Sequence, residues 1–242
     1  MKIAVAQLQC KKGDIYNNIS KHIELIKIAI GNKVDLIVFP ELSITSYEPT
    51  IVHEINFTYD DKKLNIFQEL SDKFNIIIGV GLPLKTNNGI NISLMFFDKN
   101  KERQVYSKQI IHSDETPYFT EGKQQLYLNI NNNKIAPAIC YESMLEKHHE
   151  QVFNNGANIY LVSVAKSKDG VEKSYNLYQK ISTKYTSYVL MSNLIGESDN
   201  FINYGNSGIW NKQGELMCNF DEKEEGVLIL DLLNNSTQKI RK

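Results

Sequence analysis

The chain has 242 residues, with 27 Lys and Arg against 28 Asp and Glu, for a formal net charge of −1. That balance removes the general electrostatic drive toward nucleic acid or an anionic membrane, and with only 13 glycines and 5 prolines the low-complexity and collagen-like classes fall away as well. A chain of this length buries roughly 70% of its unfolded surface unaided, so one domain over 1–242, needing neither disulfide nor metal, is expected.

Residues 2–8 (KIAVAQL) read as a buried strand. The run is too short for a signal-peptide core, and no apolar run approaches the roughly 18 residues of a membrane span. Ile15, Ile19, Ile23, Ile26 and Ile30 recur at helical spacing and predict an amphipathic helix over 15–30. Residues 34–39 (VDLIVF) form a second strand, stopped by Pro40. A helix at about 61–74 precedes a strand at 75–80, and Asn87-Asn88-Gly89 marks a hairpin before strands near 91–97 and 102–107. Strands at about 125–130 and 134–139 flank the turn Asn131-Asn132-Asn133. Helix 144–155, strand 158–164, helix 171–185 and strand 187–193 then alternate, and late strands sit near 207–211 and 226–231. Alternation of this kind argues for α/β units. About a dozen strands with added hairpins fit two sheets packed face to face under helices better than one doubly wound sheet.

Cys10, Cys140 and Cys218 are odd in number and show no CxxC spacing. A disulfide framework and a zinc ribbon are therefore not expected, and a reduced, cytoplasmic setting is. Functional groups in α/β folds gather beyond the carboxyl ends of strands, and three reactive residues stand there: Glu41 after VDLIVFP, Lys108 after QVYS, and Cys140 after KIAPAI. Their chemistry is complementary. A thiol needs a base before it attacks. A carboxylate of raised pKa can take its proton, and an ammonium can hold the oxyanion that forms. Taken alone, each residue reads more readily as a solvated cap or a packed thiol, and it is the three together at strand ends that point to chemistry.

The segments VFPELSITSY (38–47), VYSKQIIHSDETPYFTEG (105–122) and APAICYESMLEK (136–147) resemble the three signature blocks of the nitrilase, or carbon–nitrogen hydrolase, superfamily. The opening KIAVAQLQCKKGDIYNNISK and the late YVLMSNLIGE and NSGIWNKQGEL extend the resemblance over nearly the whole chain. It implies a four-layer α-β-β-α sandwich and a small-molecule amidase-like hydrolase that forms a thioester without cofactor or metal. Glu41 would be the base, Lys108 the oxyanion stabiliser, Cys140 the nucleophile, and the Tyr141 amide a second oxyanion donor. Glu115 best fits a fourth site position, with Glu121 as the alternative, and Glu142 reads as structural. Tyr47, Tyr118 and Ala165 are placed at the substrate pocket. Nitrile or N-carbamoyl hydrolysis, an inactive interaction module and a thiol peroxidase remain alternatives. Lys184 stands where many members carry a Glu.

The remaining signals are plainer. Glu146, His148, His149 and Glu150 lack zinc-ligand spacing and read as a solvated helix face. Gly79-Val80-Gly81 lacks the third glycine of a dinucleotide fingerprint. Cys10 and Cys218 read as packed thiols, and Tyr175 as a residue that could line the pocket mouth. Tyr178, Ile181 and Tyr185 form a stripe that is either core or the pairing face of a homodimer, as helices near the cysteine commonly pair in this superfamily.

Overall fold

The computed structural model describes residues Met1–Lys242. The chain runs β1 (Lys2–Gln9), α1 (Ile15–Gly31), β2 (Leu36–Val38), α2 (Val52–Ile55), α3 (Asn65–Phe74), β3 (Ile77–Thr86), β4 (Gly89–Phe97), β5 (Gln104–Ser107), β6 (Leu128–Ile130) and β7 (Asn133–Ile139). It continues through α4 (Glu146–Asn154), β8 (Ile159–Val164), α5 (Lys168–Tyr185), β9 (Tyr188–Ser198), β10 (Phe201–Tyr204), β11 (Gly208–Trp210), β12 (Leu216–Asn219), β13 (Gly226–Asp231) and β14 (Ser236–Arg241). The strands join in the order β5-β4-β3-β2-β1-β9-β8-β7-β6, with β13 and β14 attached at β1 and β10 to β12 attached at β9. β1 is the seam. Its residues 2–7 pair with β2 and β13, and its last two, Leu8 and Gln9, pair with β9.

Alternation along the strands separates three apolar interfaces, and three interfaces make four layers. Ala4, Ala6, Ile37, Phe39 and Ile78 pack against Ile19, Leu25 and Ile26 of α1 and Phe67 of α3. Their neighbours Ile3, Val5, Leu36 and Val38 face the opposite way and meet Ile135, Ile139, Ile159, Leu161 and Leu190 of the other sheet half. Ala138, Tyr160, Val162, Val189 and Met191 then pack outward on Val152 and Phe153 of α4 and Tyr178 and Ile181 of α5. The order is helices, sheet, sheet, helices: the α-β-β-α sandwich implied by the resemblance.

Buried hydroxyls register the two halves. Ser163 on β8 donates to the Phe39 carbonyl at 2.9 Å, and Ser192 on β9 donates to the Ala6 carbonyl at 2.6 Å. They lock the carboxyl end of β2 beside those of β7 and β8, which run parallel in register, with Ile139 opposite Ser163. The residues that follow these strands are thereby brought together.

Three expectations need correction, and one open alternative, the stripe on α5, falls on the side of core. The sandwich has fourteen strands, and the polar or short β10, β12 and β14 carry no apolar alternation from which to read them. The helix expected at 144–155 opens instead with a 3-10 turn, Cys140–Met144, before α4. His148 and His149 are not solvated: they are 3% and 5% exposed. His148 bridges the hydroxyls of Tyr160 (2.8 Å) and Tyr106 (2.9 Å), and burial lowers its pKa to about 4, which keeps the imidazole neutral. The stripe on α5 is largely internal. Tyr178 and Ile181 are fully buried, and Tyr185 stacks on Phe153 with ring centroids 4.2 Å apart, so it is not a free pairing face. Tyr178→Ala should consequently destabilise the folded chain by about 3 kcal/mol or more, the scale of aromatic truncation in a core. Urea denaturation checks this, and an unchanged midpoint would return Tyr178 to the surface.

Candidate active site

Glu41 lies in the tight turn that leaves β2. Leu42 takes a left-handed φ of 51°, and the turn rests on β3 through Ile44, whose amide donates to the Gly81 carbonyl at 3.0 Å. Gly81 permits this closeness. A Cβ there would stand 2.1 Å from the Pro40 carbonyl oxygen and 2.7 Å from the Leu42 nitrogen. Gly122 does the same for Lys108, at the end of β5. Its amide donates to the Lys108 carbonyl at 2.7 Å, in a space where a Cβ would meet the Ser107 carbonyl oxygen at 2.2 Å.

Cys140 ends β7 with φ 47°, a left-handed conformation for a residue with a Cβ. The sharp turn presents its sulfur beyond the sheet instead of along it. The thiol sits 3.8 Å from the Ala165 carbonyl oxygen, and Glu41 is near enough for each group to shift the other's pKa. Glu142, two residues on, ties the neighbourhood together. Its Oε1 accepts from the Ile139 amide and the Tyr106 hydroxyl, at 2.7 and 2.6 Å, and its Oε2 accepts from the Gln109 amide at 2.7 Å. One carboxylate thus clamps the residue before Cys140 to the residue after Lys108. Glu142→Gln must turn an NH2 toward one of those amides, leaving buried donors facing each other. The expected loss is about 1–3 kcal/mol, seen as a lower urea midpoint. An unchanged midpoint would remove Glu142 from this structural role.

The centre is a buried ion cluster. Lys108 Nζ donates to Glu41 Oε1 at 3.0 Å and to both Glu115 oxygens, at 2.6 and 2.9 Å. Glu115 also accepts from the Tyr47 hydroxyl at 3.0 Å and the His112 amide at 2.7 Å, and Glu41 Oε2 accepts from the Ala165 amide at 3.1 Å. Burial raises the pKa of Glu41, with Lys108 pulling it down and Glu115 pushing it up. Burial also opposes the charge on Lys108, yet the carboxylates of Glu41 and Glu115 around it overcome this and hold the ammonium protonated. The Cys140 thiol is pushed up to about 11, first by burial and then by Glu41, with Lys166 and Lys108 acting the other way. At neutral pH the sulfur therefore carries its proton, and a carboxylate of raised basicity is its neighbour. That pairing suits proton transfer during attack rather than a standing thiolate.

A cavity of about 660 Å³ opens over Cys140. Lys108, Glu115 and Tyr141 line it with Cys140, as do Tyr47, Tyr118 and Ala165; Glu41 lies behind its wall. Glu121 is exposed, and the buried contact to Lys108 is made by Glu115. Tyr175 does not reach this cavity. Its hydroxyl donates to the Asn206 carbonyl at 2.7 Å, and it lines a separate cleft beside Trp210. Lys184 instead joins α5 to α4 through Glu146 and Glu150, at 3.0 and 3.2 Å. Cys10 is buried beside a different, polar cleft, and Cys218 is half-buried. Several cavity residues escaped the sequence reading, and Lys166 is the buried charge among them. Lys166 is only 8% exposed and forms part of the wall. It stands just past the end of β8, the same strand-end position that singled out Glu41, Lys108 and Cys140.

The family model of carbon-nitrogen hydrolase matches residues 2–242. Among curated proteins, the glutamine-dependent NAD(+) synthetase of Thermotoga maritima is 25% identical over 242 residues, covering 96% of this chain and 42% of that protein. The enzyme of the same description from Acinetobacter baylyi is 25% identical over 222 residues, covering 89% of this chain and 41% of its own length. The chain thus spans about two fifths of the curated relatives it matches. Among solved structures, an amidase from Nesterenkonia sp. AN1 superposes with a TM-score of 0.87 at 18% identity, over 97% of this chain and 92% of that one, in a cysteine-to-alanine variant bound to butyramide. Another structure of that amidase, with a TM-score of 0.87 at 19% identity over 96% of this chain and 93% of that one, shows Michael addition of acrylamide at its active-site cysteine. No helix of this chain is long and apolar enough to cross a membrane.

Proposed function

The chain belongs to the carbon-nitrogen hydrolase family, and within that family we propose that it is an amidase that splits a small carboxamide through a thioester on Cys140. Cys140 Sγ attacks the amide carbonyl while Glu41 takes the thiol proton. Lys108 Nζ and the Tyr141 amide receive the oxyanion. Glu41 returns its proton to the departing nitrogen, the C–N bond breaks, and ammonia or an amine leaves. Glu41 then deprotonates a water that attacks the thioester, and the thiolate departs and regains a proton as the carboxylic acid is released. Glu115 holds Lys108 in place, opposite Glu41.

The observation that carries this reading is the Lys108 ammonium, fully buried and shared between Glu41 at 3.0 Å and Glu115 at 2.6 Å, beside a thiol on a left-handed strand-end turn. Such a cluster is costly to bury, and in an acyl-transfer site each member has a task. Incubation with a panel of carboxamides, N-carbamoyl compounds and nitriles, read as ammonia release, tests it. Ammonia from carboxamides, together with acrylamide labelling at Cys140 found by peptide mass spectrometry, is the expected result. Ammonia from no carboxamide would overturn it.

A second reading is favoured by the curated relatives, which are described as glutamine-dependent and match nearly all of this chain. On that reading the amide is the side chain of glutamine, and the ammonia serves a synthetase activity outside these 242 residues. Glutamine in the same panel separates the two.

A further inference from the structure

The wall of the cavity contains a cation that the reaction above does not use. Lys166 is more than nine-tenths buried, and its Nζ makes no hydrogen bond or ion pair, while its backbone is fixed by Asn193 at 2.9 Å and Tyr204 at 2.8 Å. Its stem lies along Gly170, where an added Cβ would stand 3.3 Å from the Lys166 Cβ. The acidic groups of the same cavity are already engaged or remote. Glu115 is held by Lys108 and Tyr47, Asp114 by His112, and Asp199 is exposed at the mouth beside Thr50. No carboxylate forms an ion pair with Lys166; Glu41 acts on it only from beyond contact distance.

A second feature converges on the same spot. α5 is 18 residues long and begins at Lys168, and Ser167 and Gly170 of its first turn line the cavity. The Ser167 side chain does not cap the helix, and the amides of Lys168, Asp169 and Gly170 receive no acceptor from the chain. An uncapped helix start and a buried, unpaired ammonium both call for an anion. Exposed Lys173 adds a further cation to the lining.

We propose that this cavity selects carboxamides whose acyl part ends in a carboxylate, which is received by the Lys166 ammonium and the open first turn of α5. The inference rests on the amidase reading and names the substrate class of that same site. Monoamides of short dicarboxylic acids satisfy it. Neutral aliphatic amides would leave the ammonium unpaired in a partly dry pocket, and such a pocket discriminates against a ligand lacking the expected polar group.

The test compares glutaramate and succinamate with neutral isosteres in which an isopropyl group replaces the carboxylate. Wild-type kcat/KM should favour the anionic amides by about tenfold or more, as a charge-assisted contact supplies. In Lys166→Met that ratio should fall toward one, mainly through KM. A wild-type ratio near one overturns the proposal without any variant. A loss shared equally by charged and neutral amides in Lys166→Met overturns it as well, since Lys166 would then be acting on Cys140 and not on the substrate. If no amide of either kind releases ammonia, the amidase reading fails, and calorimetric binding of glutarate decides the matter for Lys166. Binding to wild type that weakens about tenfold or more in Lys166→Met upholds the anion site, and equal or absent binding overturns it.

Discussion

Cys140→Ala is expected to lose essentially all amide turnover and all acrylamide labelling while keeping its melting temperature within a few degrees. In the proposed mechanism the sulfur is the atom that forms the thioester, and nothing else in the cavity wall replaces it: Lys108 and Lys166 remain as ammonium groups, and Tyr47 is held neutral by burial. The structural cost is small because the thiol is half-buried at a cavity edge and its hydrogen bond is the weak 3.8 Å contact to the Ala165 carbonyl. Alanine keeps the Cβ, so the left-handed backbone at 140 is no worse off than before. Cys10→Ala and Cys218→Ala serve as controls. Burial drives the Cys10 thiol far above its ordinary range, and neither residue lines the cavity, so labelling and turnover should persist in both. Activity of more than a few per cent in Cys140→Ala would remove the nucleophile from this scheme.

Legibility of the site followed one rule and failed where that rule was not applied evenly. Glu41 and Cys140 stand out because each is a lone reactive residue after an apolar strand in parallel register, and Lys108 shares the strand-end position although β5 pairs antiparallel with β4. Lys166 obeys the same rule after IYLVSV, but a lysine at a strand end reads as a solvated residue until the cavity is seen to close over it. The role of Glu142 was readable as structural. Its reach was not, because its partners at 109 and 110 lie 33 and 32 residues away in sequence. Its pKa, raised by burial to about 7 against hydrogen bonds from Tyr106 and two backbone amides, likewise belongs to the tertiary structure. The histidines of α4 were misread for a related reason. Helical spacing says which residues share a face, but not that both His148 and His149 find tyrosine hydroxyls waiting, on Tyr160, Tyr106 and Tyr185. The core strands were legible from apolar runs. β14, with the burial of an edge strand and the sequence STQKIR, carries too little pattern to announce itself.

Lys108→Ala should cost two or more decades in turnover, the scale measured for removing one oxyanion donor. The loss reaches beyond that donor, because the ammonium also separates two buried carboxylates, Glu41 and Glu115. Without it, each is exposed to the other's charge, and the pull that lowers the Glu41 pKa disappears. The sign of the pH effect follows. As the proposed base, Glu41 must be unprotonated to accept the thiol proton, so activity should fall as pH drops through its folded pKa, which burial already raises. In Lys108→Ala that acid limb should move to still higher pH, and the residual rate should recover partly in alkaline buffer. Lys108→Arg keeps the charge but replaces a compact ammonium with a planar fork, in a site where one nitrogen reaches Glu41 at 3.0 Å and Glu115 at 2.6 Å. It should preserve the charge balance and hence the position of the acid limb, yet restore little of the rate, because the fork cannot occupy the point the oxyanion needs. Circular dichroism of both variants establishes that they fold, and pH–rate profiles then separate the two contributions. Near-wild-type turnover in Lys108→Arg would refute the oxyanion role, and an acid limb unmoved in Lys108→Ala would mean that Glu41 is not the base being titrated.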